Sequence, residues 1–325
     1  MILALQIIGI LVACFVLIKA TDLTVIAIKR ISDQTKIGSF AVSALILALG
    51  TSFPELSVGV TSAFEGASPL SFGTIIGSNI ANISLVLGIA GLSVGKIYIR
   101  GDYLERDFWI SLAAGVAPLI FILDGAITRS DGFILLSIYA AYSMSFFKVR
   151  YQEIGKHLEI DKNFYKFLHK ISFNLQSSVI RNIMRLAIGI ALMVAAAWSI
   201  VQLGMMVAAS FGLPVFVIGL VVVAIGTSLP ELAFSFRSLR DHEPSLFFGN
   251  ILGSTIANST LIIGLVAVIR PITQTAADTR TFAGVFFVII SLAVWYFSRS
   301  KRRIDWWESG LLVVLYALFV AIEVF

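Results

Sequence analysis

A short polar segment that occurs twice in this chain contains the residues best suited to chemistry. Residues 47–56 (LALGTSFPEL) and 223–232 (VAIGTSLPEL) agree at seven of ten positions and place Glu55 and Glu231 176 residues apart. Each copy combines a carboxylate with two hydroxyl groups, a glycine and a proline inside apolar sequence. Such oxygen-only donors, without thiolate or imidazole, favour hard cations such as Ca²⁺, Mg²⁺ or Na⁺ over zinc or copper. The repeat therefore indicates a cation site to which both halves of the chain contribute.

A second repeated segment supplies a matching pair of amides. Residues 73–82 (GTIIGSNIAN) and 249–258 (GNILGSTIAN) also agree at seven of ten positions, so that Asn82 and Asn258 follow the two Glu residues by 27 positions each. An interhelical hydrogen bond would by itself be a sufficient role for a buried amide. The matched position of the two amides, one turn after a serine in each half, instead favours a role as ligands. The glycines of these segments have the small-xxx-small spacing that predicts close helix packing.

The elements that must position these residues are membrane helices. Of 325 residues, 58% are hydrophobic and 13% charged, against roughly 25% charged in an average soluble domain. A membrane helix needs about 20 apolar residues, and the chain offers ten such stretches. The sequence therefore predicts an all-α polytopic membrane protein with ten transmembrane helices. The predicted spans are 2–28, 39–63, 71–95, 107–123, 131–147, 184–208, 214–236, 247–269, 281–297 and 308–324.

The two halves of the chain are predicted to be inverted repeats. Residues 1–147 form the first five-helix repeat, 148–183 a connecting segment, and 184–325 the second repeat. Because five is odd, the second copy enters the membrane in the opposite sense, as in many secondary transporters. The connecting segment fits either a short amphipathic surface helix or a solvated linker.

The distribution of positive charge predicts the orientation. One side of the ten spans carries 20 Lys and Arg residues and the other three. By the positive-inside rule, the connecting segment is cytoplasmic and both termini are not, in the plasma (inner) membrane. This rule also accounts for the net charge of +5 without a nucleic-acid partner. The single cysteine, Cys14, excludes an internal disulfide. We expect no cofactor and a monomer.

Carboxylates inside a membrane require neutralisation. An ionised Asp at a helix centre costs about 2.5–3.5 kcal/mol on insertion scales, and Glu should be comparable. The one intramembrane cation, Lys19, is spaced for a local pair with Asp22. Glu55 and Glu231 therefore lack a protein counter-ion and must be neutralised by a bound cation or by protonation.

The prolines predict where the helices break. Pro54 and Pro230 cannot donate a backbone hydrogen bond and clash with the preceding turn, so breaks are expected over residues 48–52 and 224–228. Irregular backbone at membrane depth is tolerated where it lines a cavity or is buried in protein, and its carbonyl oxygens can coordinate ions. Four hydroxyl oxygens lie within a turn of the two Glu residues: Thr51, Ser52, Thr227 and Ser228.

On these two G-T-S-x-P-E and two G-S-x-x-x-N blocks, the chain resembles the calcium/cation antiporter superfamily, specifically its bacterial and archaeal sodium/calcium exchanger-like branch. The resemblance extends over all ten spans. It implies a fold in which the second, third, seventh and eighth helices surround the ions while the first and sixth slide across them. The implied central site is Glu55, Asn82, Glu231 and Asn258. The implied outer sites use Thr51, Ser52, Ser78, Thr227, Ser228 and Ser254, with the carbonyls of Ala48 and Ala224.

One position departs from that family pattern. The best-understood sodium/calcium exchangers carry Asp where this chain has Asn258, so the site has one carboxylate fewer. The leading interpretation is a secondary antiporter that exchanges Ca²⁺ for Na⁺ by alternating access. The main alternative is a proton-coupled antiporter of Ca²⁺ or another cation, because burial favours a neutral carboxyl group.

Two further classes are remote alternatives. An intramembrane enzyme is disfavoured because no H-E-x-x-H or G-x-S-x-G motif and no His within the predicted spans occurs. A cation channel could use the same oxygen ligands, but duplicated broken helices of opposite orientation favour alternating access.

Overall fold

The structure is a computed structural model that describes residues 2–35, 50–99, 103–154, 179–273 and 277–324. Long helices dominate it. In chain order they are α1 (Ile2–Thr35), α2 (Phe53–Phe64), α3 (Ser68–Val94), α4 (Tyr103–Phe121), α5 (Arg129–Ile154), α6 (Val179–Phe211), α7 (Val215–Thr227), α8 (Leu229–Arg240), α9 (Pro244–Ile269), α10 (Ala277–Ser300) and α11 (Trp306–Val324).

The helices agree with a polytopic membrane protein. Seven of the described helices are long and apolar enough to cross a membrane, or eight when α7 and α8 are one bent span. Every predicted span overlaps at least one of these helices, and the span 214–236 overlaps both α7 and α8. The helices α2 and α5 are not among these candidate spans, and α2 is described only from Phe53. The all-helical membrane class is confirmed, and the number ten stays a prediction.

Three of the described helices contain a π-turn, in which a backbone N–H bonds to the carbonyl five residues earlier instead of four. These turns are Asn82–Val86 in α3, Gly219–Val223 in α7 and Ala257–Ile262 in α9. π-turns are rare and occur mostly at functional sites. Two of them coincide with the predicted ligands Asn82 and Asn258.

Two small antiparallel ladders join the halves of the chain. β1 (Lys96–Tyr98) pairs with β4 (Arg303–Asp305), and β2 (Ala126–Ile127) pairs with β3 (Ile272–Thr273). Each strand lies in a connection between two long helices. The ladders therefore tie the first half to the second outside the helices.

The centre of the molecule is formed by α3 and α9. Burial reaches 83% and 78% of their apolar segments, against 33% for α4. The short helices α2 and α8 pack against this pair, and α7 lies along α3. The helices that carry the repeated motifs are thus those most enclosed by protein.

α1 and α6 pack against each other along their length, and α6 also packs against α2. Their side chains, among them Ile10, Leu17 and Ile200, belong to a hydrophobic cluster distinct from the main core. On the outside of α1, Lys19 Nζ lies 4.0 Å from Asp22 Oδ2, and both side chains are exposed. The predicted local pair is therefore present.

The glycines of the second motif differ between the two halves. A methyl group added to Gly73 or Gly77 of α3 would collide with backbone atoms of Phe216 and Leu220 in α7. This confirms the predicted close packing in the first half. No described residue lies within 4 Å of such a methyl at Gly249 or Gly253.

Candidate cation site

The two Pro-containing segments adopt the same local backbone. Ser52 and Ser228 precede α2 and α8 with φ/ψ of −89°/4° and −82°/2°. Pro54 and Pro230 lie in the first helical turn, where a missing N–H leaves no hydrogen bond unmade. Neither serine caps its helix, and both hydroxyl groups are buried without a partner among the described residues.

The predicted break in the second half is confirmed. α7 and α8 meet at Ser228 at an angle of 40°. In the first half the described chain begins with a turn at residues 50–52, directly before α2. Both halves therefore start a new helix just before their Glu.

Glu55 and Glu231 are each the third residue of their helix and are 0% exposed. A helix N-terminus carries a partial positive charge that favours a carboxylate. The two side chains interact electrostatically with each other. Both oxygens of Glu231, and Oε2 of Glu55, lack a hydrogen-bond partner among the described residues.

No positively charged side chain in the described ranges forms an ion pair with either Glu. An uncompensated buried charge costs several kcal/mol, in the range of about 3–5 kcal/mol when one partner of a buried pair is removed. Among the described residues the two carboxylates therefore have no ion-pair partner. Buried carboxylates without an ion-pair partner must be neutralised by a bound cation or by protonation.

Hydroxyl groups from opposite halves meet beside the carboxylates. Ser78 Oγ lies 3.4 Å from Glu55 Oε1 and 3.2 Å from Thr227 Oγ1. In the matching contact, Thr51 Oγ1 lies 3.3 Å from Ser254 Oγ. Each threonine of one half therefore contacts the serine of the other, and the structure brings these predicted residues together.

The two asparagines belong to the π-turns of α3 and α9 and are completely buried. Neither side-chain polar atom of Asn82 has a partner in the described structure, and Oδ1 of Asn258 also has none. The π-turn of α9 packs against α2, and that of α3 packs against α8. Each amide is therefore held next to the helix that bears the Glu of the other half.

The two predicted carbonyl ligands have different outcomes. Ala48 lies outside the described residues. The carbonyl oxygen of Ala224 accepts hydrogen bonds from the Ser228 N–H, at 3.0 Å, and the Thr227 hydroxyl, at 3.3 Å. The carbonyl that Pro230 cannot engage is instead that of Gly226, four residues earlier.

Several polar residues in the site were not predicted. Thr51 Oγ1 donates to Asn250 Oδ1 at 2.9 Å, while Asn250 Nδ2 is buried without a partner among the described residues. Ser235, one turn after Glu231, is also buried with an unpartnered hydroxyl in the described structure. Asn79 Oδ1 accepts a hydrogen bond from Asn258 Nδ2 at 3.2 Å.

Agreement between the two repeats could not identify these residues. Asn250 and Ser235 occupy positions where the other half has Thr74 and Gly59. They therefore disagree between the repeats, whereas the predictions relied on positions that agree.

The donors in this region suit a hard cation. They are carboxylate, hydroxyl and amide oxygens, which are typical ligands of Ca²⁺ and Mg²⁺. In the described ranges, no group of three or more His, Cys, Asp or Glu side chains is arranged to hold a metal ion. The arrangement thus combines two carboxylates with neutral oxygens.

Comparison with known proteins gives a consistent result. The chain is 27% identical to the sodium/calcium exchanger MaX1 of Methanosarcina acetivorans, over 94% of this chain and 95% of the relative. It is 29% identical to the putative antiporter CaxA of Alkalimonas amylolytica, over 94% and 95%. The inner membrane protein YrbG of Escherichia coli is 29% identical, over 92% and 90%.

The fold is also that of a solved structure. The sodium-calcium exchanger NCX_Mj, soaked with 2.5 mM Na⁺ and 10 mM Sr²⁺, superposes with a TM-score of 0.60 and 25% identity, covering 98% of this chain and 99% of that one. The family model described as sodium/calcium exchanger protein matches residues 5–148 and 182–325. These segments make up most of the sequence, and the chain belongs to the sodium/calcium exchanger protein family.

Proposed function

We propose that this protein is a secondary antiporter that moves Ca²⁺ in exchange for Na⁺ by alternating access. The observation that carries the proposal is the buried pair Glu55 and Glu231, which has unpartnered carboxylate oxygens and no described counter-ion. Two carboxylates balance one Ca²⁺ or two Na⁺. Because both ions require the same negative charges, they compete, and competition for one site couples their movements.

The proposed central ligands are Glu55, Asn82, Glu231 and Asn258, and transported ions are the substrates they bind. All four side chains are fully buried and come from helices of both halves. The proposed outer ligands are the hydroxyl groups of Thr51, Ser52, Ser78, Thr227, Ser228 and Ser254, together with the carbonyls of Ala48 and Ala224. The cross-half contacts between threonine and serine hydroxyls support a shared site.

The proposed architecture is ten transmembrane helices in two inverted repeats, 1–147 and 184–325, joined by a cytoplasmic segment, 148–183. Matched backbone at Ser52 and Ser228 and the two equal lengths of chain matched by the family model support the repeat. The charge asymmetry supports non-cytoplasmic termini in the inner membrane.

Alternating access is assigned to α1 and α6. They pack mainly on each other, and their hydrophobic cluster, which also includes Val58, Leu70 and Val223 of the helices that carry the site, is distinct from the main core. In the proposed cycle this unit slides across the site and opens it to one side of the membrane at a time.

Ion flux into proteoliposomes tests the proposal. Vesicles loaded with Na⁺ and diluted into Na⁺-free buffer with labelled Ca²⁺ should accumulate the label, and Na⁺ added outside should inhibit. A pH gradient alone, at equal Na⁺ on both sides, should give no uptake. Uptake driven by the pH gradient and indifferent to Na⁺ would contradict sodium coupling.

Proton coupling is the second candidate, and a specific observation favours it. The site has an amide, Asn258, at the position matching Asn82, so that only two carboxylates provide charge. Two protons could neutralise both. The same vesicles distinguish this candidate, because it requires uptake under the pH gradient alone. A large single-ion current without counter-transport would instead indicate a channel.

A further inference from the structure

We infer that Asn79 is a positioning residue that fixes the amide of Asn258 so that its carbonyl oxygen faces the ion. This inference rests on the proposed function and adds to it a residue outside the proposed ligand set. Asn79 is 1% exposed and lies on α3, whereas Asn258 lies on α9. The contact therefore crosses between the halves.

Three side chains form a hydrogen-bonded chain. Asn258 Nδ2 donates to Asn79 Oδ1 at 3.2 Å, and Asn79 Nδ2 donates to Ser259 Oγ at 2.8 Å. All three side chains are buried. An amide nitrogen that is already engaged cannot turn toward another group without losing its bond, and an unmade buried hydrogen bond costs about 1–3 kcal/mol.

The consequence for Asn258 is a defined orientation. Its nitrogen is held by Asn79, and its Oδ1 is buried with no hydrogen-bond partner among the described residues. A cation binds the oxygen of an amide and is repelled by its N–H groups. The chain of hydrogen bonds thus presents the favourable end of the amide before an ion arrives.

The other half of the molecule lacks this arrangement. Thr255 occupies the position equivalent to Asn79, and its hydroxyl donates to the Ile251 carbonyl of its own helix at 3.0 Å. Both polar atoms of Asn82 remain without partners in the described structure. The two asparagines therefore differ: the amide nitrogen of Asn258 is held by Asn79, whereas no described residue holds the amide of Asn82.

Calcium binding by the full-length purified protein tests this difference. Dissociation constants for Ca²⁺ are measured by titration calorimetry for the wild type, Asn79→Ala and the matched control Thr255→Ala. We expect Asn79→Ala to raise the constant about tenfold, equivalent to about 1.4 kcal/mol, with Thr255→Ala unchanged. The double variant Asn79→Ala/Asn258→Ala should bind no more weakly than Asn258→Ala alone, since Asn79 acts through Asn258.

Each other result has a definite meaning. An unchanged constant in Asn79→Ala, an equal loss in Thr255→Ala, or additive losses in the double variant would overturn the positioning role. If Asn79→Ala does not fold, Ser259→Ala replaces it: it should weaken binding, and Ser259→Thr, which keeps the hydroxyl, should restore it. Equal affinities of those two variants would also overturn the role. Absence of Ca²⁺ binding by the wild type would instead refute the proposed function.

Discussion

Replacing Glu55 by Gln removes one charge from the proposed site with little change of shape. Ser78 can still donate to the retained oxygen, and the new amide nitrogen takes the place of Oε2, which has no partner in the described structure. The variant should fold, because it removes a fully buried charge that lies near a second carboxylate. The substitution should therefore weaken ion binding and leave folding unchanged.

The expected loss is large. Two unit charges 4 Å apart at an effective permittivity of 20 interact by about 4 kcal/mol. Because Ca²⁺ carries two charges, this value is a lower bound, and it corresponds to a loss of affinity of at least about 1,000-fold. Calcium at 100 times the wild-type dissociation constant stabilises that protein by about 2.7 kcal/mol. The same Ca²⁺ concentration is about a tenth of the variant's dissociation constant or less. Calcium then stabilises the variant by less than about 0.1 kcal/mol.

Thermal unfolding in detergent, with and without Ca²⁺, measures this directly. Wild-type protein should melt at a higher temperature with Ca²⁺, while Glu55→Gln should melt at the same temperature in both buffers. Glu65→Gln is the matched control, because Glu65 follows the C-terminal end of the same helix, is exposed, and contacts Gln202. Retention of the calcium-induced shift by Glu55→Gln, or its loss in Glu65→Gln, would refute the reasoning.

Three other substitutions test the remaining parts of the site. Glu231→Gln should abolish Na⁺-driven Ca²⁺ uptake while the protein still elutes as a single folded species; near-normal uptake would remove Glu231 from the site. Asn258→Asp should tighten Ca²⁺ binding or alter the Na⁺ dependence of uptake, and an unchanged profile would mean that Asn258 only packs. Gly77→Val should prevent correct folding, because its side chain would collide with the Leu220 backbone in α7, and size-exclusion chromatography would show aggregation.

The sequence was most informative where both halves repeat the same residue. Glu55 and Glu231, with the prolines that precede them, predicted buried carboxylates at the start of new helices, and the structure has them there. Repetition identifies these positions because chance rarely conserves a polar residue twice in apolar sequence. The same reasoning cannot detect Asn79 or Asn250, whose contacts arise from differences between the halves.

Backbone irregularities were not predictable in the same way. A π-turn inserts one residue into a helical turn without changing the apolar character of the sequence, so nothing at Asn82–Val86 or Ala257–Ile262 indicates it. The ladders β1–β4 and β2–β3 have strands of two or three residues. Such strands are too short to show the alternation by which a strand is recognised.

The ladder between β1 and β4 has a consequence for how the protein is made. Lys96–Tyr98 is synthesised about 200 residues before its partner Arg303–Asp305, so this ladder cannot form until the second half of the chain has been made. The hydroxyl contacts of Ser78 with Thr227 and of Thr51 with Ser254 likewise form only after the second residue of each pair has been made. During translation the polar groups of the first half therefore remain unmatched until Thr227 and Ser254 of the second half have been inserted.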